Sequence, residues 1–225
     1  MKLWLITPVK PFAEGKSRLA SVLSHQQRFA LNQHLFHNLL DRAQATQLFT
    51  GVIVVGRDPQ VLADVNWDSV HFEQEAHHSP NATPHSLLNR ALEQARQRAL
   101  QSSADAILIL PADLPLLTIA DITHLSRLGQ TPATMVIAPS QDGGTNALLL
   151  HPPQGIPFAF GHHSFAHHCA LAEQAKLAYH IFASPTLSFD LDWPEDLAAL
   201  VDSRGVHGPR SRVQSLKFQD QSLRL

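Results

Sequence analysis

The stretch Ala106-Ile107-Leu108-Ile109-Leu110-Pro111-Ala112-Asp113-Leu114-Pro115 decides the fold class. It begins with an uninterrupted apolar run, which is typical of a short strand buried on both faces of a parallel sheet. Asp113 then follows in a turn bracketed by prolines. Since ligands of open α/β sheets bind beyond the carboxyl ends of the strands, Asp113 is a candidate to hold a metal ion or a phosphate-bound magnesium. The alternative is that Asp113 only shapes the turn or caps the next helix.

The composition is that of a globular protein. Of 225 residues, 44% are hydrophobic and 16% are charged, which excludes a disordered chain. Because Lys and Arg number 17 against 19 Asp and Glu, we expect neither a nucleic acid nor a membrane among its partners. The single cysteine, Cys169, excludes an internal disulfide. A soluble, cytoplasmic protein is therefore expected.

Strand-like and helix-like segments alternate along the chain, which predicts an α/β fold with a mainly parallel, twisted sheet and helices on both faces. The predicted strands are Lys2–Pro8, Gly51–Val55, Ser69–Glu73, Ala106–Leu110, Thr134–Ala138, Asn146–Leu150, Ala178–Phe182 and Thr186–Leu191. The predicted helices are His25–Ala45, Ser86–Leu100, Ile119–Leu128, Ser164–Lys176 and Pro194–Val201. Within the first helix, the apolar face is predicted to comprise Phe29, Phe36, Leu40 and Ala43.

Two regions depart from this alternation. Thr134–Ala138 and Asn146–Leu150 are joined by the turn sequence Gln141-Asp142-Gly143-Gly144, which predicts an antiparallel hairpin inserted in the parallel sheet. The end of the chain, residues 202–225, is polar and lacks apolar periodicity, so we expect a loose tail. Residues 1–201 are predicted to form a single domain.

A cationic loop follows the first predicted strand. Lys10, Lys16 and Arg18 lie close together where this strand passes into a helix, and a helix N-terminus with nearby cations favours an anion such as phosphate. The glycine frame of a Walker loop or a dinucleotide fingerprint is absent. The alternative is a solvated basic loop.

Asp190 and Asp192 form a second acidic segment near the end of the predicted domain. On an extended segment these residues would face opposite ways, so one would enter the site while the other faces outward or caps the next helix. Magnesium prefers one or two carboxylates together with phosphate oxygens and water. Asp113 and Asp192 would supply that pair from two separate strand ends.

Three further segments offer polar groups. Thr145 and Asn146 follow glycines that allow close backbone approach to a ligand, although a plain hairpin turn explains them equally. Ser164 begins a predicted helix after Gly161, which favours a second anion site. Four histidines and Cys169 in the same segment could suggest zinc, but adjacent histidines on a helix diverge and no matching His or Cys cluster lies elsewhere. Asn89 lies in a segment that runs from a loop into the predicted helix Ser86–Leu100 and could read a base edge. The alternative for this segment is helix capping by Thr83 or Ser86.

Taken together, these segments resemble the guanylyltransferases of coenzyme F420 biosynthesis, which use 2-phospho-L-lactate, phosphoenolpyruvate or 3-phosphoglycerate. The resemblance covers about residues 1–201, in family order. The matching segments are Pro8-Val9-Lys10 with Lys16-Ser17-Arg18-Leu19, Asp113-Leu114-Pro115, Asp142-Gly143-Gly144-Thr145-Asn146-Ala147-Leu148, Phe160-Gly161 with Ser164-Phe165 and His168, and Asp190-Leu191-Asp192-Trp193-Pro194-Glu195-Asp196-Leu197. The two acidic segments recur across nucleotidyltransferases, whereas the others are more specific.

The resemblance implies a glycosyltransferase-A-like nucleotidyltransferase fold. It also implies transfer of GMP from GTP to a small phosphorylated carboxylic acid, with Mg²⁺ as cofactor and pyrophosphate as the second product. The implied metal ligands are Asp113 and Asp192, with Asp190 less favoured. For the GTP phosphates the implied residues are Lys10, Lys16 and Arg18, to which we add Pro8 and Asn89 as candidate nucleotide-binding residues. For the acceptor the implied residues are Thr145, Gly161 and Ser164, to which we add Asn146 as a candidate. The implied catalytic residues are Lys16, Arg18 and Asp113.

The chain departs from the family pattern at His162, where members often have proline, and in the tail. A homodimer is compatible with the resemblance.

One rival interpretation is a nucleotidyltransferase of the same fold that acts on a molybdopterin or a sugar phosphate, which the missing glycine-rich loop after strand one disfavours. Another is a non-catalytic nucleotide-binding subunit, which the presence of Lys16, Asp113 and Asp192 disfavours.

Overall fold

The computed structural model describes residues 1–76 and 83–203, and seven strands of this part of the chain form one sheet. The strands are β1 (Leu3–Val9), β2 (Phe49–Gly56), β3 (Val70–Gln74), β4 (Ala106–Ile109), β5 (Thr134–Pro139), β6 (Thr145–His151) and β7 (Ala178–Ile181). Their order is β3-β2-β1-β4-β6-β5-β7. β6 runs antiparallel to both of its neighbours, whereas the other pairs are parallel. The mainly parallel sheet and the inserted antiparallel hairpin are both confirmed.

Helices cover both faces of the sheet, as predicted. They are α1 (His25–Thr46), α2 (Pro84–Gln101), α3 (Ile119–Leu128), α4 (Ser164–Gln174) and α5 (Pro194–Ser203). Successive side chains of β1 enter two different cores, because strand side chains alternate between faces. Leu3 and Leu5 belong to the core that includes residues of α1 and α3, whereas Trp4 and Ile6 belong to the core that includes residues of α2 and α4.

Local sequence explains where the helices begin. Ser24 and Gln27 form a capping box at the start of α1, and Thr118 and Asp121 form another at the start of α3. The side chain of Thr83 accepts a hydrogen bond at the start of α2, where Pro84 is the first helical residue. Each cap satisfies backbone N–H groups that a helix leaves without internal partners. The Asp113 turn therefore ends in a well-defined helix start, which fixes its position above β4.

Two predictions about the fold are wrong. Residues 186–191 do not form a strand: Leu187 and Leu191 are buried, but the backbone bonds to loops, as when Leu191 N donates to Asp113 O at 3.2 Å. Phe29 is 41% exposed, although Phe36, Leu40 and Ala43 of the same predicted face are buried. Phe29 lies near the start of α1, where its ring meets the edge of Phe12 at a centroid distance of 5.7 Å. Of the predicted tail, residues 204–225 lie outside the described residues.

Candidate active site

Lys16 joins the cationic loop to both acidic segments. Its Nζ lies 3.0 Å from Asp113 Oδ2 and 3.0 Å from Asp192 Oδ1, and its side chain is only 7% exposed. Lys16 has a left-handed backbone conformation (φ 54°) immediately before the short 3₁₀ helix Ser17–Ser21. Burial by itself lowers the pKa of Lys16, but the attraction of Asp113 and Asp192 outweighs it and raises this pKa above its usual value. Lys16 is therefore a fixed positive charge between two carboxylates.

Arg18 and Trp193 extend this cluster toward solvent. Arg18 Nη1 lies 2.9 Å from Asp192 Oδ2, and the guanidinium lies 4.6 Å from the centre of the exposed Trp193 ring. Asp196 accepts hydrogen bonds from the backbone N–H groups of Asp192 and Trp193, at 2.9 and 2.6 Å, so α5 holds the acidic segment in place. The prediction that Lys16, Arg18, Asp113 and Asp192 share one site agrees with this geometry.

Asp190 belongs to the same acidic cluster as Asp113 and Asp192. Burial, together with the negative charge of Asp113, raises the pKa of Asp190 to about 6. Asp190 Oδ1 lies near the Asn146 amide, whereas Asp192 bonds to Lys16 and Arg18. The segment that holds both residues is a loop and not the expected strand, and the expectation that they face opposite ways stays a prediction. Capping of α5 falls to Asp196 instead.

A second cluster lies at the start of β6 and α4. Ser164 Oγ donates to Thr145 Oγ1 at 3.0 Å, and His168 Nδ1 lies 3.1 Å from the same Thr145 oxygen. All three residues are buried. Gly161 has φ 145° just before α4, and its carbonyl accepts from Ser164 N at 3.2 Å. The predicted acceptor-binding residues Thr145, Gly161 and Ser164 are thus brought together by the fold.

Asn146 connects the two clusters, because it follows Thr145 directly in β6. Its Nδ2 donates to Leu187 O at 2.8 Å and lies 3.5 Å from Asp190 Oδ1. The structure therefore gives Asn146 a defined task, which is to hold the acidic segment. Contact with the acceptor stays a prediction for this residue.

The remaining predicted nucleotide ligands are Asn89, Pro8 and Lys10. Asn89 uses its amide for the backbone of Phe160, donating to the carbonyl at 2.9 Å and accepting from the N–H at 2.8 Å. It positions the residue before Gly161, and base recognition by Asn89 stays a prediction. Pro8 is half-buried in β1, and Lys10 is exposed beyond its end. Among residues 1–76 and 83–203, Lys10 forms no ion pair.

Sequence reasoning gave no separate role to His168 or Trp193. His168 lies four residues after Ser164, so both side chains share one face of α4. That spacing is the signal that could have identified it. Trp193 could not be linked to Arg18 from sequence, because the two residues are far apart along the chain.

The described residues contain no group of three or more His, Cys, Asp or Glu side chains that could hold a metal ion on its own. The carboxylate pair of Asp113 and Asp192 nevertheless fits a Mg²⁺ ion that takes its other ligands from phosphate and water. Among these residues, no helix is long and apolar enough to span a membrane.

The comparisons with known proteins agree with this geometry. A family model described as guanylyl transferase CofC like matches residues 3–219. The phosphoenolpyruvate guanylyltransferase of Rubrobacter xylanophilus is 38% identical over 208 residues, covering 92% of this chain and 97% of that protein. The 2-phospho-L-lactate guanylyltransferase of Methanocaldococcus vulcanius is 31% identical over 217 residues, covering 93% and 87%.

Solved structures with low sequence identity share the fold. A Desulfovibrio desulfuricans protein assigned as a nucleotide-diphospho-sugar transferase has a TM-score of 0.73 at 15% identity, covering 96% of this chain and 95% of its own. A nucleotidyl transferase from Methanothermobacter has a TM-score of 0.62 at 11% identity, covering 90% and 97%. The predicted nucleotidyltransferase fold is confirmed.

Proposed function

Because the chain belongs to the CofC-like guanylyl transferase family, we propose that it transfers GMP from GTP to a small phosphorylated carboxylic acid in coenzyme F420 biosynthesis. Phosphoenolpyruvate is the acceptor we propose first, since the 38% identical relative carries that name. The observation that carries the proposal is the bridge of Lys16 Nζ to Asp113 and Asp192 at 3.0 Å each. This charged cluster adjoins the Thr145 and Ser164 hydroxyls through Asn146.

The proposed reaction needs alignment and charge neutralisation more than covalent help. A phosphate oxygen of the acceptor forms a bond to the α-phosphorus of GTP, and the bond from that phosphorus to the oxygen bridging to the β-phosphate breaks, so pyrophosphate leaves. The attacking oxygen is already anionic, so no general base is required. Lys16 and Arg18 offer positive charge to the triphosphate, and the Thr145 and Ser164 hydroxyls offer hydrogen bonds to the acceptor.

Magnesium is part of this proposal. Asp113 and Asp192 would hold the ion, with Asp190 beside them, and their oxygen donors suit a hard cation. When bound, Mg²⁺ supplies charge neutralisation for the phosphates of GTP. With Asp190 the cluster has three carboxyl groups against the two cations Lys16 and Arg18, and this excess of acidic groups supports a further cation at this place.

The test is pyrophosphate release from GTP and Mg²⁺ with a panel of acceptors: phosphoenolpyruvate, 2-phospho-L-lactate, 3-phosphoglycerate and a sugar phosphate. We expect turnover with one of the three phosphoacids, and none when CTP or ATP replaces GTP. Asp113→Asn should abolish turnover, while Asp105→Asn, an acidic residue at the opposite end of β4, serves as the matched control. The proposal would be rejected if only the sugar phosphate gave turnover, or if none of the acceptors did.

A further inference from the structure

His168 is a buried imidazole for which the proposed reaction has no direct use. It is fully buried (0% exposed) within α4. Burial, with a smaller effect from neighbouring His167, lowers the pKa of His168 to about 4, so the ring is neutral at physiological pH. A neutral imidazole carries one proton, on either Nδ1 or Nε2.

The hydrogen bonds decide which nitrogen carries that proton. Ala159 N lies 3.0 Å from His168 Nε2, and a backbone N–H can only donate. Nε2 must therefore be the unprotonated acceptor, because a proton there would face the Ala159 N–H. The proton consequently resides on Nδ1, which lies 3.1 Å from Thr145 Oγ1. His168 is thus a donor to Thr145.

This assignment decides whether one of the two hydroxyls has an O–H group left to donate to a ligand. Thr145 and Ser164 carry one O–H proton each, and a single contact joins them, at 3.0 Å. One of the two hydroxyl protons is engaged in that hydrogen bond. Because His168 offers Thr145 a donor and not an acceptor, the second proton has no acceptor within the cluster. With the opposite tautomer, Thr145 would donate to His168, Ser164 would donate to Thr145, and no proton would remain.

We propose that His168 is a positioning residue for the phosphorylated acceptor: its Nδ1–H group forces the Thr145 and Ser164 pair to present an O–H donor to an anionic oxygen of that acceptor. This inference rests on the proposed function, because it requires that the acceptor occupies the cradle of Thr145, Gly161 and Ser164. A hydroxyl that donates to a phosphate oxygen makes a charge-assisted hydrogen bond, about twice as strong as a neutral one. His168 itself does not touch the acceptor.

The first test is the tautomer of His168 in the wild-type protein, measured by ¹⁵N NMR of the imidazole, in which protonated and unprotonated nitrogens have well-separated shifts. We expect a protonated Nδ1 and an unprotonated Nε2 at pH 7. A protonated Nε2 would overturn the inference. This experiment needs neither turnover nor a variant that folds.

The second test uses a matched pair of variants. Asn at position 168 places its amide N–H near the site of Nδ1, whereas Gln places its amide near the site of Nε2. We expect His168→Gln to raise the KM for phosphoenolpyruvate by roughly 5- to 10-fold, the effect of losing the neutral hydrogen bond that orients the Thr145 hydroxyl, with the KM for GTP unchanged. His168→Asn should stay within about 3-fold of wild type. Equal effects of both variants on both substrates would show a structural role only.

A double mutant separates action through Thr145 from any other effect. Thr145→Val should raise the acceptor KM by itself, and adding His168→Gln should then change it no further, since the hydroxyl through which His168 acts is gone. Multiplicative effects would overturn the inference. If wild type turns over no acceptor at all, the proposed function fails. In that case a protonated Nδ1, with inorganic phosphate binding that weakens in His168→Gln, would still support the anion cradle.

Discussion

The position of Lys16 predicts that this lysine and a divalent cation compete for the same carboxylates. Its ammonium bridges Asp113 Oδ2 and Asp192 Oδ1, which is where the two proposed metal ligands approach each other. A cation that binds both carboxylates must first break the bonds to Lys16. We therefore expect Lys16→Met, which keeps much of the side-chain length without the charge, to bind divalent metal more tightly than wild type when no nucleotide is present.

The magnitude follows from the two bonds that the metal would have to replace. A hydrogen bond between charged groups contributes about 1.5–3 kcal/mol. Asp113 and Asp192 are 33% and 36% exposed, so solvent screening reduces each contribution to about 1 kcal/mol. The two together give about 2 kcal/mol, which corresponds to roughly a 30-fold increase in metal affinity. Turnover should fall in the same variant, because in the proposed function Lys16 also offers positive charge to the triphosphate.

The assay is a titration with Mn²⁺, followed by electron paramagnetic resonance of the free ion, on protein prepared in chelator. Lys176→Met is the matched control, because Lys176 is exposed and has the same left-handed backbone conformation, with φ 55° against 54° for Lys16. The control should bind Mn²⁺ as wild type does. An affinity in Lys16→Met equal to or below that of wild type would refute the competition between ammonium and metal.

Three further predictions follow from residues around the site. Asp121→Asn should lower the free energy of unfolding by about 1–3 kcal/mol at pH 7, measured with urea, because its carboxylate accepts hydrogen bonds from both α3 and the loop before the acidic segment. Burial alone raises the pKa of Asp121, but these hydrogen bonds outweigh burial and lower the pKa of the folded protein below the usual 3.8. The stability that the carboxylate adds is therefore fully present above the unfolded pKa and is lost as the pH falls through the lower folded pKa. Wild type and Asp121→Asn should accordingly have similar stabilities in acid. Gly161→Ala should raise the acceptor KM, because φ is 145° and a Cβ would lie 3.0 Å from His85 Cγ; an unchanged KM would contradict the role of Gly161 in the cradle. Trp193→Leu should raise the KM for GTP by roughly 2- to 5-fold through loss of the ring beneath Arg18, and an equal rise for the acceptor would argue against it.

The fold was predictable because its signals are local. The apolar run of β4, the caps of α1 and α3, and the glycine turn between β5 and β6 each act within a few residues. The predicted strand over residues 186–191 failed for a related reason. Apolar residues alternate with polar ones there, yet Leu187 and Leu191 are buried as anchors of a loop whose bonds go to other loops. Alternation alone does not distinguish a strand from an anchored loop.

The charged residues of the site were predictable from the sequence, but the hydrogen bonds and ion pairs between them were not. Lys16, Asp113 and Asp192 are separated by most of the chain. Their residue types made each of them a candidate for a phosphate or metal site, and the family resemblance implied that they share one. Nothing in the sequence states that Lys16 lies between the carboxylates or that Asn89 is taken up by the Phe160 backbone. Those facts depend on distances set by the whole sheet.

A β-bulge at the start of β6 positions residues of both clusters of the site. Ala138 of β5 pairs with Ala147, but Pro139 pairs with Thr145, so Asn146 is left without an opposite residue in β5. Such a bulge redirects side chains, and bulges are common next to active sites. Here it allows consecutive residues to act in different clusters: Thr145 bonds to Ser164 and His168, whereas Asn146 bonds to the backbone before Asp190. The proposed acceptor cradle and the acidic cluster are therefore held at a fixed separation by one peptide unit, which suits the alignment that the proposed transfer between two bound phosphates requires.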